Sequence, residues 1–485
     1  MRNLEHEKRI ATDNTRLATF RNGLALCAAI AVATAAFTAH AAWTYDAEAG
    51  TLSDGGYTFK GSIVSLADPA SENGDKIEGF RIDGLTTAGT SETIDFTSAK
   101  TEAGYDVISF NESWNNETTK ILNSTPCKTL IAPALMYLGR MTFRDNGTLE
   151  SLTISDKITE FPYYCFDSAV ALKTLKPMRY PYIKEQTAIY AMYNVKSLTG
   201  TFEFPELTKL SGESCFSGCS ALFEMPKVKY LGKQALRSCS NLTGDLNFNE
   251  LETIGYAAFA NTGIKSLTAP NVTNVGIYAF MDCASLTGLV FNAEAAANYA
   301  NEAFQSCKYL KTLSPMPVFS NLANTYDDNG NVQSLSNPIL GCSSLVGSLE
   351  ITGTEELKTL TANWMQNCKA ITNVTIKAPA LETIANNVFQ NVGPGATIYW
   401  DSEKAPTSFG ENVFSPEGGS SKPFARIYVK NDLDGWAKLL SKKAADFTTD
   451  DKTKTGYPGK KTLGLINGNV YVVKDGVSGM MILIR

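Results

Sequence analysis

A seven-residue unit recurs through the middle of the chain: an apolar residue, three residues on a Cys or small residue, and three further on a Leu or Ile. The clearest copies are Phe216-Ser-Gly-Cys219-Ser-Ala-Leu222, Leu236-Arg-Ser-Cys239-Ser-Asn-Leu242, Phe280-Met-Asp-Cys283-Ala-Ser-Leu286, Phe304-Gln-Ser-Cys307-Lys-Tyr-Leu310, Ile339-Leu-Gly-Cys342-Ser-Ser-Leu345 and Met365-Gln-Asn-Cys368-Lys-Ala-Ile371. Looser copies begin at Phe143, Phe166, Met192, Phe259 and Phe389, with a worn one at Phe414 and a fragment at Cys127-Lys-Thr-Leu130. Successive first positions lie 20 to 26 residues apart except for one step of 35, between Phe304 and Ile339. Five residues before the first position stands another apolar residue, as at Leu138, Phe161, Leu231, Ile254, Val275, Leu360 and Ile384. A period of this length means stacked turns, each unable to bury its apolar edge alone.

After the Leu, short alternating segments such as LTI (152–154), SLTAP (266–270), TGLVF (287–291) and NVTI (373–376) read as strands, often closed by proline. Proline ends a ladder by withholding its N–H donor. The expected fold is an α/β solenoid of the leucine-rich repeat type, with about 12 turns of roughly 24 residues and a parallel sheet along one face. At strand spacings of about 4.8 Å that sheet runs roughly 55 Å. Phe216, Cys219, Leu222, Leu236, Cys239, Leu242, Phe259, Phe280, Cys283, Leu286, Phe304, Cys307, Leu310, Cys342, Leu345 and Cys368 are its expected core.

The segments LETIGYAAF (251–259) and AFANTGIKSLTAPNVTNVGIYAFMDCASL (258–286) resemble the BspA-like, or treponemal-type, leucine-rich repeats of bacterial surface proteins, over about residues 121 to 420. That family's pattern runs I-G-x-x-A-F-x-x-C-x-x-L with proline after the strand. Asn146, Ala169, Val195, Thr262 and Val392 stand where it often has Cys. The resemblance implies a surface or secreted binding protein, adhesin-like, with protein ligands of host matrix or cells, or glycans, as partners.

Residues 1–41 have a basic start, an apolar stretch from Gly23 to Phe37 and Ala39-His40-Ala41, the layout of a cleaved secretory signal peptide. Removal would take five Lys/Arg and three Asp/Glu, leaving 38 against 46, a charge of about −8. Nucleic acid is therefore not an expected partner, since phosphate neutralisation needs concentrated positive charge. No later apolar run approaches the ~20 residues that span a bilayer. Both histidines, His6 and His40, fall within the signal, which removes His-based nucleophile systems and zinc sites.

The other nine cysteines are an odd number, and seven sit three residues before a Leu or Ile in one inward row. They are expected to be buried thiols rather than a disulfide set, redox pair or metal site. Gly456 to Thr462 imitates a phosphate loop, but Lys461 stands at the Ser/Thr position. Asp327-Asp328-Asn329-Gly330 lacks the closing glutamate of a calcium loop. No cofactor, metal or catalytic residue is assigned.

Alternate strand residues must face away from the core. Binding candidates on that face are Thr201, Glu203, Glu224, Asp245, Asn247, Thr268 and Glu350, joined by Tyr326, Asp327 and Asp328 in the longest inter-repeat segment, an expected loop around residues 321–334. The domain scheme has a β-rich cap or small module at 42–120, the solenoid at 121–424, a cap and polar linker at 425–463 that opens with a strand and short helix, and a terminal hairpin at 464–485, a candidate sorting tail. A secreted hydrolase with its site in 42–120 or an acidic groove, and an envelope spacer, are the competing functional readings.

Overall fold

The computed structural model describes residues 42–111, 122, 125–292, 299–317, 319–322, 333–392, 396–411, 413, 425–429, 435, 470–475 and 479–484. Residues 1–41, expected to be a signal peptide, together with Phe414, Tyr326, Asp327, Asp328 and the helix expected near residues 430–440, Gly435 apart, lie outside the described residues.

The repeat winds a β-solenoid of about 13 turns, each contributing three sides. The first side is a parallel sheet of three- to seven-residue strands, divided into four blocks. These begin with Thr93–Asp95, Thr129–Ile131, Ser151–Thr153 and Thr174–Lys176, followed by the pair Thr201–Glu203 and Leu222–Glu224. Thr243–Asn247, Gly263–Ala269, Gly288–Phe291 and Thr312–Ser314 form the third block. The last runs from Phe319–Leu322 through Gly347–Gly353, Ile371–Lys377 and Ala396–Trp400 to Ala425–Val429. Inward strand residues such as Leu152, Phe202, Leu267 and Val374 are buried, because side chains alternate across a pleat; Leu246 is partly buried.

The second side is a ladder of two-residue strands, Glu185–Gln186, Lys209–Leu210, Tyr230–Leu231, Thr253–Ile254 and Asn274–Val275, continued by Thr359–Leu360, Thr383–Ile384 and Ser408–Phe409. It holds the apolar residue five before the first position, and Leu231, Ile254, Val275, Leu360 and Ile384 are all buried.

The third side is made of tight turns, and helix is almost absent among the described residues. Its backbone explains why. Residues two before and two after the first position adopt positive φ, Asn337 excepted, as in Tyr164 and Ser168 around Phe166, or Tyr278 and Asp282 around Phe280, at 56–57°. A right-handed helix cannot pass through such residues. The slot two after is filled by Asp145, Ser168, Asn194, Gly218, Ser238, Asn261, Asp282, Ser306, Gly341, Asn367 and Asn391. Gly tolerates this conformation, and the short polar side chains of Asn and Asp offset its strain.

Turns are tied to each other on this side by main-chain bonds such as Phe259 N–H to Ala279 O at 2.8 Å and Phe280 N–H to Ala303 O at 2.8 Å. The thiols add a second tie. Cys239, Cys283, Cys307, Cys342 and Cys368 each donate Sγ–H to the first-position carbonyl of the preceding turn, at 3.0–3.4 Å. All nine described cysteines are free and buried. Burial holds their protons on: the Cys127 and Cys283 thiols are pushed up to about 11, and Cys219 and Cys368 to about 12. Inside, the first-position rings stack: Phe143 on Phe166 at 5.2 Å, Phe259 on Phe280 at 5.3 Å and Phe280 on Phe304 at 5.6 Å. Each such pair adds about 0.5–1.5 kcal/mol beyond its buried area.

One expected core residue is not in the core. Leu222 is 39 % exposed, and Ala221 is buried in its stead. Ser151 starts its strand eight residues after Phe143, whereas Leu222 itself starts the strand only six after Phe216. That shortening puts the Leu on the outward strand phase. The remaining expected core residues are buried.

At the N-terminal end, β1 (Thr44–Asp46), β2 (Thr51–Ser53), β3 (Thr58–Ala67) and β4 (Lys76–Thr87) form an antiparallel sheet. β5 (Thr93–Asp95) has already left it for the solenoid sheet, followed by helix α1 (Ala99–Ala103) and by β6 (Val107–Phe110), which pairs with β4. The solenoid ladder therefore starts inside the segment expected to be cap. Trp43 closes it: its ring stacks on Phe96 at 4.6 Å and its indole N–H donates to Asp95 O at 2.7 Å. At the other end Val470–Asp475 and Gly479–Ile484 form an antiparallel hairpin, the latter strand pairing with Ala425–Val429. The long inter-repeat segment opens as a strand, since Asn321 and Leu322 belong to Phe319–Leu322. Among the described residues no helix is long and apolar enough to cross a membrane.

Candidate binding face

The outward residues of the main sheet are aligned by strand register. Thr201 lies opposite Leu222 and Glu203 opposite Glu224. Asp245 faces Ser266, and Asn247 faces Thr268, which in turn neighbours Val290. In the last block Ser348 and Asn373 form one row and Glu350, Thr375 and Tyr399 the next. Thr201, Glu203 and Thr268 are half-buried, whereas Glu224, Asp245, Asn247 and Glu350 are exposed. Glu203 and Glu224 are thus brought side by side, Asp245, Asn247 and Thr268 form a second group, and Glu350 stands apart in another block.

Like charges directly opposite across strands repel. The Arg179 guanidinium offsets this by pairing with Glu203 from the preceding turn, where the two residues also form a β-bridge. Ser266 Oγ donates to Asp245 Oδ1 at 2.6 Å, and Lys377 Nζ lies 3.0 Å from Glu350 Oε1. The face also carries exposed apolar side chains that sequence reasoning did not assign: Leu222, Val290 and Tyr399. Arg179 was equally missed, because it lies beyond the strand phase of its own repeat.

A second surface escaped the sequence reading. On the turn side, Arg140 lies over the Tyr163 ring at 4.8 Å and Arg144 over Tyr164 at 5.0 Å. Tyr164 stacks on Tyr190 at 5.2 Å, and Tyr193 meets Tyr190 edge-on at 5.0 Å. Arg144 Nε also lies 3.0 Å from Asp167 Oδ2, a carboxylate whose burial holds its pKa above the ordinary range. The signal was present as a tyrosine two before the first position, at Tyr164, Tyr190 and Tyr278, a phase shared by too few repeats to stand out. Among the described residues no group of three or more His, Cys, Asp or Glu is placed to hold a metal ion.

A parallel sheet on one side, a two-residue ladder on the second and thiol-tied turns on the third define a leucine-rich repeat solenoid. A profile of the BspA type leucine rich repeat region matches in six copies, over residues 104–180, 122–223, 181–287, 229–338 and 340–418. These segments span more than half of the chain, which belongs to that family. A search of curated proteins finds no match. Similar solved structures include a leucine-rich repeat protein from Bacteroides ovatus, 16 % identical, covering 73 % of this chain and 90 % of that one with a TM-score of 0.42. A leucine rich cell surface protein from Faecalibacterium prausnitzii is 14 % identical over 75 % and 86 % of the two chains, with a TM-score of 0.30. A leucine-rich repeat protein from Eubacterium ventriosum is 14 % identical over 71 % and 74 %, with a TM-score of 0.22.

Proposed function

We propose that the chain is a non-catalytic binding protein, exported and displayed at the cell surface or released, whose main sheet face holds protein ligands of host or neighbouring cells. The observation that carries this reading is the register of the sheet, which sets Thr201, Glu203, Glu224, Asp245, Asn247 and Thr268 as outward groups on successive strands. Extended solenoid faces of this kind suit large protein partners, because many weak contacts are presented on a rigid frame. Family membership supports the same reading, and residues 1–41 have the layout of an export signal.

The test is adhesion of purified residues 42–485 to immobilised matrix proteins and whole cells. Changing Glu203, Asp245 and Asn247 together to Ala should weaken saturable binding by about tenfold or more, as expected for loss of several polar contacts. Binding that ignores the triple change, or substrate turnover abolished by a single carboxylate substitution, would overturn the proposal.

A further inference from the structure

The turn side contains a partly enclosed groove of about 440 Å³, within the ~300–1,000 Å³ range of small-ligand sites, bordered by Tyr193, Lys196, Ser217, Gly218, Gln234 and Arg237. Its origin is local. The slot two after the first position bears Asn194 on one side and Ser238 on the other, but Gly218 between them has no side chain, which leaves a gap.

The groove is lined by two cations and no carboxylate. In neighbouring turns some lysines are matched by a glutamate, Lys173 by Glu150, Lys227 by Glu206, Lys229 by Glu252 and Lys233 by Glu213, at 2.7–3.5 Å, while among the described residues others such as Lys184 and Lys209 are not. Among the described residues Lys196 and Arg237 make no ion pair, and no carboxylate lines the groove. Two uncompensated cations beside serine hydroxyls therefore face a small polar space in an otherwise acidic chain. Gln234 Oε1 accepts from Ser214 Oγ at 2.9 Å, which leaves the amide nitrogen as the donor available to a ligand. Tyr193 also lines the groove and belongs to the contiguous rings Tyr164, Tyr190 and Tyr193, all partly exposed.

We infer that this groove binds an acidic saccharide, its carboxylate held between Lys196 and Arg237, its hydroxyls on the serines and amides, and its ring against Tyr193. Guanidinium and ammonium groups recognise carboxylate through charge-assisted bonds. The adjoining rings favour a sugar over a bare inorganic anion, which would have no use for a flat apolar wall. The site is separate from the main sheet face and does not rest on the adhesion reading; the assay below measures saccharide alone.

Titration calorimetry of purified residues 42–485 with a galacturonate trisaccharide and with sialyllactose, against galactotriose and lactose, tests it. Binding is expected to at least one acidic sugar, not to its neutral counterpart, and to weaken as salt rises. Arg237→Gln should weaken it about tenfold, the usual scale for losing a bond to a charged group. The sharper pair is Gly218→Asn and Gly218→Asp. Both residues already occupy this backbone slot in other turns, as Asn261 and Asp282 at φ 57°, and a Cβ at Gly218 would meet Asn194 no closer than 3.4 Å. Both variants should therefore fold, with circular dichroism unchanged, while Asp weakens binding at least about tenfold more than Asn through repulsion. Wild-type affinity in Gly218→Asp, equal affinity for neutral sugars, or no binding at millimolar acidic sugar would overturn the inference.

Discussion

Around Phe166 and Met192 the turn side is built from rings and cations, whereas around Met365 and Phe389 the same slots carry amides. Two before the first position stand Tyr164 and Tyr190 in one region, Asn363 and Asn387 in the other. In the second region Asn387 donates to Asn363 at 3.0 Å, Asn391 to Asn367 at 2.7 Å and Gln366 to Gln390 at 2.5 Å, three parallel amide ladders. The inward residues Phe166, Met192, Met365 and Phe389 are equally buried. The interior thus repeats while the outer edge diverges, so fold is encoded in the slots that stay the same and individuality in those that change.

The thiols also divide the regions, and their ionisation gives the largest expected effect. Asn146, Ala169 and Val195 fill the slot in the first region; Cys307, Cys342 and Cys368 fill it toward the second. Burial raises all three thiols, Cys368 to about 12. Below the unfolded value of about 8.5 both states are protonated and stability is flat. Above it only the unfolded chain ionises, so stability falls by about 1.4 kcal/mol per pH unit for each thiol until the folded pKa is passed. All nine buried thiols share in this loss, and these three account for about 4 kcal/mol per unit of it between pH 9 and 11. Urea unfolding across that range should show the loss, and Cys342→Val, which places there the residue that Val195 and Val392 supply in other turns, should reduce the slope by one thiol's share. A slope unchanged by that substitution would contradict a sealed thiol row.

A substitution in the shared interior comes next. Phe166→Ala and Phe389→Ala should each cost about 3–5 kcal/mol in urea midpoints at pH 7, and by similar amounts, because both leave a cavity in the same file. A large disparity would break the claim that the interior is uniform. Outer-edge changes should be smaller. Asn391→Ala should cost about 1–2 kcal/mol, from a lost hydrogen bond and a left-handed backbone that Ala tolerates less well than Asn. Tyr190→Ala should cost about 1 kcal/mol, chiefly the ring contacts to Tyr164 and Tyr193. Either change matching the interior losses would erase the distinction between the two kinds of slot.

That distinction also explains what the sequence disclosed. First-position rings, thiols and the apolar residue of the short ladder were legible because each recurs at fixed phase. Leu222 was misassigned because phase was counted from Cys219, and the shortened approach to its strand shifted the count. The start of the solenoid at β5 was hidden, since Thr93-Ile94-Asp95 carries one inward residue and no thiol or Leu marker. Outward residues such as Glu203 and Asp245 were correctly phased, yet nothing in their spacing disclosed that Arg179 would reach Glu203 from a neighbouring turn. The groove at Gly218 was least legible, because it arises from an absent side chain flanked by cations belonging to different repeats.

The clasp around a first-position peptide that a thiol reaches has a direction. Phe259 gives its N–H to Ala279 and receives the Cys283 thiol on its carbonyl, so both halves of the grip come from the coil that follows. A repeat is therefore finished only by its successor. A polypeptide emerging amino end first would lock every coil one repeat late, leaving the unfinished edge always at the carboxyl side, which is the end where a closing hairpin is needed.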